Sequence, residues 1–165
     1  GMMDFMALHY NPSTLVLSVA GNLTHDVVVR EVNNLCADWP PSTSPEWTRF
    51  DHVQSEPKVR LEYRRTEQAH LSIALPGIAL NHPSQYSLDL LSIVLGEGMS
   101  SRLFMEVRER LGLAYDVHSG VTHFQDCGAF VINAGVDPKW LYDAVGTILD
   151  QLDDVRGGVS DEELE

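Results

Sequence analysis

The repeat of the apolar residues changes along this chain in a fixed order, and that order restricts its architecture more than any other feature. Residues 58–65 alternate, with Val59, Leu61 and Tyr63 on one side and Arg60, Glu62 and Arg64 on the other, and residues 68–75 alternate again. A repeat of two belongs to a strand, so the two runs read as an antiparallel pair. From Tyr86 the repeat lengthens to that of a helix, through Leu90, Leu91, Val94 and Leu95, and is apolar enough to be largely buried until Gly96-Glu97-Gly98 stops it. Ser100 or Ser101 then caps a second helix, with Leu103, Phe104, Val107 and Leu111 inward and Arg102, Glu106 and Arg110 as an i,i+4 ladder outside. Past Gly112, residues 114–122 and 128–134 are strands once more, around a turn holding Gln125-Asp126. Asp137-Pro138 opens a last helix whose stripe is Leu141, Val145, Ile148, Leu149 and Leu152, and Gly157-Gly158 closes it. This succession predicts an α+β fold: a two-layer α/β sandwich with an antiparallel-rich sheet of about five strands and helices on one face.

Ahead of these elements, residues 14–20 read as a buried strand, and Thr24 caps a helix over residues 25–38. Residues 40–57 carry four prolines and no period, which marks a linker. The ends read as cuts. Phe5 to Tyr10 resembles the tail of a helix without a beginning. Ser160-x-x-Glu163 is a capping box, and Val159 and Leu164 stand at staple spacing, so a helix is announced just before Glu165. The expectation is residues 1–39 as the end of a preceding domain, 40–57 as the linker, and 58–165 as a second domain truncated at its C-terminus. A sheet edge left open by such a cut favours pairing between copies, hence a homodimer.

Charge excludes some partners. Eleven basic against 24 acidic residues give a net charge of −13, whereas nucleic acid and anionic membrane demand concentrated positive charge. No apolar run approaches the roughly 20 residues that span a bilayer, and no signal peptide opens the chain, so a cytoplasmic location is expected. Cys36 and Cys127 are too few for a disulfide framework, and neither is a promising nucleophile. The Asn22-Leu23-Thr24 sequon has no secretory context.

Much catalytic chemistry is absent. The seven histidines are His9, His25, His52, His70, His82, His118 and His123. No two stand at the i,i+4 spacing that brings both to one helix face, and neither HExxH nor HxxEH occurs. His118, His123 and Asp126 fall across a strand and turn and read as surface polar residues, so no metal is assigned. Gly98-Met99-Ser100-Ser101 lacks the second glycine of a nucleophile elbow, and the glycines before it lack the Walker lysine. The acidic run Asp161-Glu162-Glu163 reads as a solvated first helical turn.

One block stands apart. Residues 96–119 contain Gly98-Met99-Ser100-Ser101-Arg102-Leu103-Phe104, then Arg108, and seven residues later Tyr115 in Gly112-Leu113-Ala114-Tyr115. The block resembles the C-terminal, non-zinc domain of the insulinase, pitrilysin and mitochondrial-processing-peptidase family of zinc metallopeptidases. His9-Tyr10-Asn11-Pro12, residues 16–21, Asp126-Cys127-Gly128-Ala129-Phe130 and Ala134-Gly135 extend the likeness over most of the chain. The resemblance implies a processing-peptidase-like fold and a substrate-holding role, with Arg108, Tyr115, Gly98, Ser100 and Ser101 at the substrate. It implies no cofactor in this chain, with zinc in a partner half or N-terminal domain that bears HxxEH, and an extended peptide substrate added to a sheet edge. A guanidinium and a phenol together suit a peptide carbonyl and the oxyanion formed from it. The alternative is a structural subunit of the same fold that has lost the chemistry, with Arg108 a solvated helix cation and Tyr115 an ordinary strand aromatic.

Overall fold

The computed structural model describes residues 1–39 and 46–164. They fall into two compact units that divide after Arg49. The first holds α1 (Met2–His9) and α2 (His25–Leu35). The linker expected over 40–57 lies partly outside the described residues, and 46–57 carry no helix or strand.

The second unit is a sheet with helices on one face. Strands β1 (Ala69–Pro76), β2 (Ala114–His123) and β3 (Gly128–Val136) form a three-stranded antiparallel sheet in the order β1-β3-β2. Leu71, Ile73 and Leu75 stand opposite Ala134, Ile132 and Phe130, and on the far side Val117, Ser119 and Val121 stand opposite the same three. Period two places all of these on one face. Helix α3 (Gln85–Gly96), a π-helical segment (Phe104–Arg110) and α4 (Leu141–Asp154) cover that face. The core is Leu95, Leu103, Val107, Ile132, Val136, Ala144 and Ile148, all fully buried, with Val117 and Phe130 beside them. Each larger member contributes about 1.5–3 kcal/mol by leaving water.

The fold class agrees with the α+β expectation, and several elements need correction. The sheet has three strands among the described residues, not five. Residues 14–20 and 58–65 carry no strand, and Val59, Leu61 and Tyr63 are exposed. Alternation shows that a segment is suited to a strand, but a ladder needs a partner, and β1 takes β3 instead of 58–65. In α3, Leu95 and Val94 are buried as expected, whereas Tyr86 and Leu90 face solvent, because the sheet covers one side of the helix only. Asp137 does cap: its Oδ1 accepts the Lys139 N–H at 3.1 Å, leading through a 3₁₀ turn into α4.

Candidate functional site

The Gly96–Tyr115 segment is built around two glycines with different tasks. At Gly96 the end of α3 presses on β2 so closely that a Cβ would lie 2.5 Å from the Ser119 backbone nitrogen. At Gly98 the backbone takes φ +97°, a region costly for any residue with a side chain. The closeness at Gly96 lets buried hydroxyls cross between elements. Ser119 Oγ donates to the Ser92 carbonyl at 2.7 Å and lies 3.2 Å from Ser92 Oγ, which donates to Glu97 at 2.8 Å. Neither serine stands out in the sequence, since Ser92 is embedded in the apolar run 90–95 and Ser119 lies between His118 and Gly120.

Ser101 is 3 % exposed, and its hydroxyl donates to the Gly98 carbonyl at 2.8 Å. It closes the turn rather than capping the helix N–H groups. Ser100 is exposed. Arg102 was expected in a surface ladder. Only its outer partners, Glu106 and Arg110, pair with each other. Arg102 instead forks onto Glu163, with Nε 2.5 Å from Oε1 and Nη2 2.8 Å from Oε2, and Nη2 also donates to the Gly158 carbonyl at 3.0 Å. The guanidinium, then the Ser160 N–H, hold the Glu163 carboxyl down at about 2. The capping box at Ser160 does form, with its N–H donating to Glu163 Oε2 at 2.9 Å.

Arg108 lies in the π-helical segment, its guanidinium 4.8 Å from the Phe104 ring centroid and its Nε 3.8 Å from Glu109. The side chain is 44 % exposed. The Leu113 N–H donates to the Val107 carbonyl at 2.8 Å and fastens the start of β2 to the last turn of this segment. Runs of i→i+5 bonding are rare and often mark functional positions. Tyr115 occupies a β-bulge: Ala114 opposes Val136 and Asp116 opposes Gly135, leaving Tyr115 as the extra residue. A bulge re-aims side chains. Ala114 stays in the core, while Tyr115 is 63 % exposed and Asp116 moves to the sheet face opposite the helices of this unit.

The histidines separate as strand alternation requires. His118 lies on the open face, its Nδ1 3.0 Å from Asp116 Oδ2. His123 lies five residues on, beneath the helices, and contrary to the surface expectation its side chain is only 10 % exposed. Its Nδ1 is 2.7 Å from the Ile78 carbonyl and its Nε2 3.0 Å from Asp89 Oδ1. Both partners are acceptors, so the ring satisfies both only as imidazolium. The carbonyl first, then the carboxylate, raise its pKa above the ordinary imidazole value. Asp126 accepts the Phe50 N–H instead, at 2.5 Å. Burial, then Asp126, push the Cys127 thiol upward, away from thiolate chemistry. Among the described residues no group of three or more His, Cys, Asp or Glu could hold a metal ion, and no helix is long and apolar enough to cross a membrane.

The helix-backed antiparallel sheet with its block from Gly96 to Tyr115 belongs to a class of peptidase-related domains. The chain belongs to the M16 peptidase family: the pattern described as "Peptidase M16 inactive domain" matches residues 2–165. An uncharacterized zinc protease of Streptomyces coelicolor is 40% identical over 167 residues, covering 97% of this chain and 36% of that protein. One from Bacillus subtilis is 33% identical, covering 99% and 40%. The chain thus spans well under half the length of these relatives. Among solved structures, an M16 inactive domain from Pseudomonas fluorescens matches at TM-score 0.58 with 32% identity, covering 60% of this chain and 24% of that one. A Helicobacter pylori protease shares the fold at TM-score 0.74 and 22% identity, covering 99% and 41%. The chain is therefore a non-catalytic domain of a zinc peptidase family.

Proposed function

We propose that residues 58–165 hold an extended peptide against a zinc-bearing HxxEH domain, and that Arg108 and Tyr115 supply the hydrogen-bond donors that meet the substrate carbonyl. The observation that carries this reading is the bulge at Tyr115, which leaves the phenol exposed two residues after Leu113, whose N–H is fastened to the Val107 carbonyl next to Arg108. Gly98, Ser100 and Ser101 shape the turn that leads into that helix, with Ser101 acting through its buried bond to Gly98. The relatives described as zinc proteases support zinc in the partner domain.

A second reading, a structural subunit that has kept the fold alone, has one observation in its favour. The fold also matches a chain of complex III from Candida albicans at TM-score 0.75 and 21% identity, over 98% of this chain and 40% of that one. Turnover by the assembled enzyme decides between them. If the phenol binds the oxyanion, Tyr115→Phe cuts kcat about 10²–10³-fold with a smaller change in KM. Arg108→Lys keeps the charge, loses the planar fork, and is nearly as damaging as Arg108→Ala. Wild-type kcat in a stably folded Tyr115→Phe enzyme refutes the substrate role and leaves the structural one.

A further inference from the structure

Phe104 closes the motif that begins at Gly98 and has no part in the reading above. Its helical spacing puts it inward with Leu103 and Val107, yet the three differ. Leu103 and Val107 are fully buried, while Phe104 is only half-buried. Phe104 and Arg108 each follow one of these two anchors by a single residue, so the pair stands on a backbone fixed by the core. The Leu113 N–H on the Val107 carbonyl fastens the last turn of that backbone again. Across this rim the Arg108 guanidinium carbon lies over the Phe104 ring, 4.8 Å from its centroid.

The neighbouring carboxylates do not take the guanidinium. Glu106 pairs with Arg110, and Glu109 lies 3.8 Å from Arg108 Nε, past the length of a hydrogen bond. A carboxylate would occupy two in-plane N–H groups in a bidentate grip, whereas an electron-rich ring face attracts the cation and uses none of them. Held by the ring, the guanidinium keeps its fork of donors for an outside acceptor. It also loses rotamer freedom before that acceptor arrives.

We infer that Phe104 is a positioning residue for Arg108: its ring face holds the guanidinium in place and leaves the N–H groups free for the substrate carbonyl. The inference rests on the peptide-holding reading above. A cation–ring contact shifts an equilibrium about twofold to fivefold while exposed, and about thirtyfold once it is sealed from water.

The test uses the enzyme assembled with its zinc-bearing domain and an internally quenched peptide. Phe104→Leu keeps an apolar side chain and removes the ring. It lowers kcat about 5- to 30-fold with a smaller change in KM, because Arg108 meets the carbonyl chiefly as the oxyanion forms. Phe104→Tyr keeps the ring face and restores kcat. In an Arg108→Ala background Phe104→Leu changes kcat no further, an outcome that loosened packing would not give. Wild-type kcat in a folded Phe104→Leu enzyme, beside a slow Arg108→Ala enzyme, overturns the positioning role and leaves the peptide-holding reading standing. An equal loss from Phe104→Leu in both backgrounds, or no recovery with Phe104→Tyr, also overturns it. Wild-type kcat in Arg108→Ala, or no cleavage by the wild-type assembly, refutes the peptide-holding reading and the inference with it. Melting temperatures show whether each variant is folded, and Phe104→Met, a second side chain without a ring, takes the place of a Phe104→Leu that is not.

Discussion

Replacing Glu163 by Gln removes the carboxylate that Arg102 grips while keeping nearly the same shape. The folded-state pKa of about 2 against an ordinary 4.5 would correspond, at 1.36 kcal/mol per unit, to roughly 3 kcal/mol for a pair sealed from water. Water reaches this pair, with the two side chains 18% and 28% exposed. Screening reduces the figure to about 1–2 kcal/mol. For a chain of this size that is a fall in Tm of roughly 2–8 °C near neutral pH. Because the folded pKa lies below the unfolded one, the stabilisation is present above about pH 4.5 and is lost as pH falls toward 2. Thermal unfolding followed by circular dichroism from pH 7 to pH 2 should therefore give curves for wild type and Glu163→Gln that converge in acid. A gap that stays constant with pH, or no gap at pH 7, refutes the argument that the fork fastens the segment after α4 to the helix entry at Arg102.

The His123 clamp predicts the opposite pH dependence. Its folded pKa is raised, so its contribution is complete below the unfolded value and is lost as pH climbs through the folded one. Denaturant unfolding between pH 5 and pH 9 should show a decline that His123→Phe abolishes. Gly96→Ala drives a methyl into the Ser119 backbone and should cost about 1–3 kcal/mol. Gly146→Ala, in α4 with open space around it, should instead stabilise by about 0.5–1 kcal/mol. Urea midpoints for the two variants test the pair, and a loss at both positions removes the argument from close approach.

What could be read from the sequence was whatever depends on near neighbours. The alternation of 69–75 and 128–134 reports a strand wherever the chain goes, and Asp137-Pro138 starts a helix through contacts within one turn. Pairing is another matter. Residues 58–65 alternate as cleanly as β1, yet only β1 meets β3, because register is settled by a strand more than fifty residues away. Arg102 looked like a ladder cation for the same reason: its partner lies 61 residues on. In the site, the motif around Arg108 and Tyr115 was legible as a resemblance, but the bulge that aims Tyr115 was not. A bulge is a mismatch between two strands and leaves no mark in either one alone.

The strand in the middle of the sheet is the last to be made. β1 is complete at Pro76 and β2 at His123, but the strand that both of them bond begins at Gly128. At about 5–20 residues per second, the ribosome delivers β3 roughly 3–12 s after the start of β1. For that interval Leu71, Ile73 and Leu75 leave the exit tunnel as an apolar strand with neither edge satisfied, next to other nascent copies of itself on a polysome. The topology thus leaves β1 without the strand it pairs with for as long as residues 77–127 are being made.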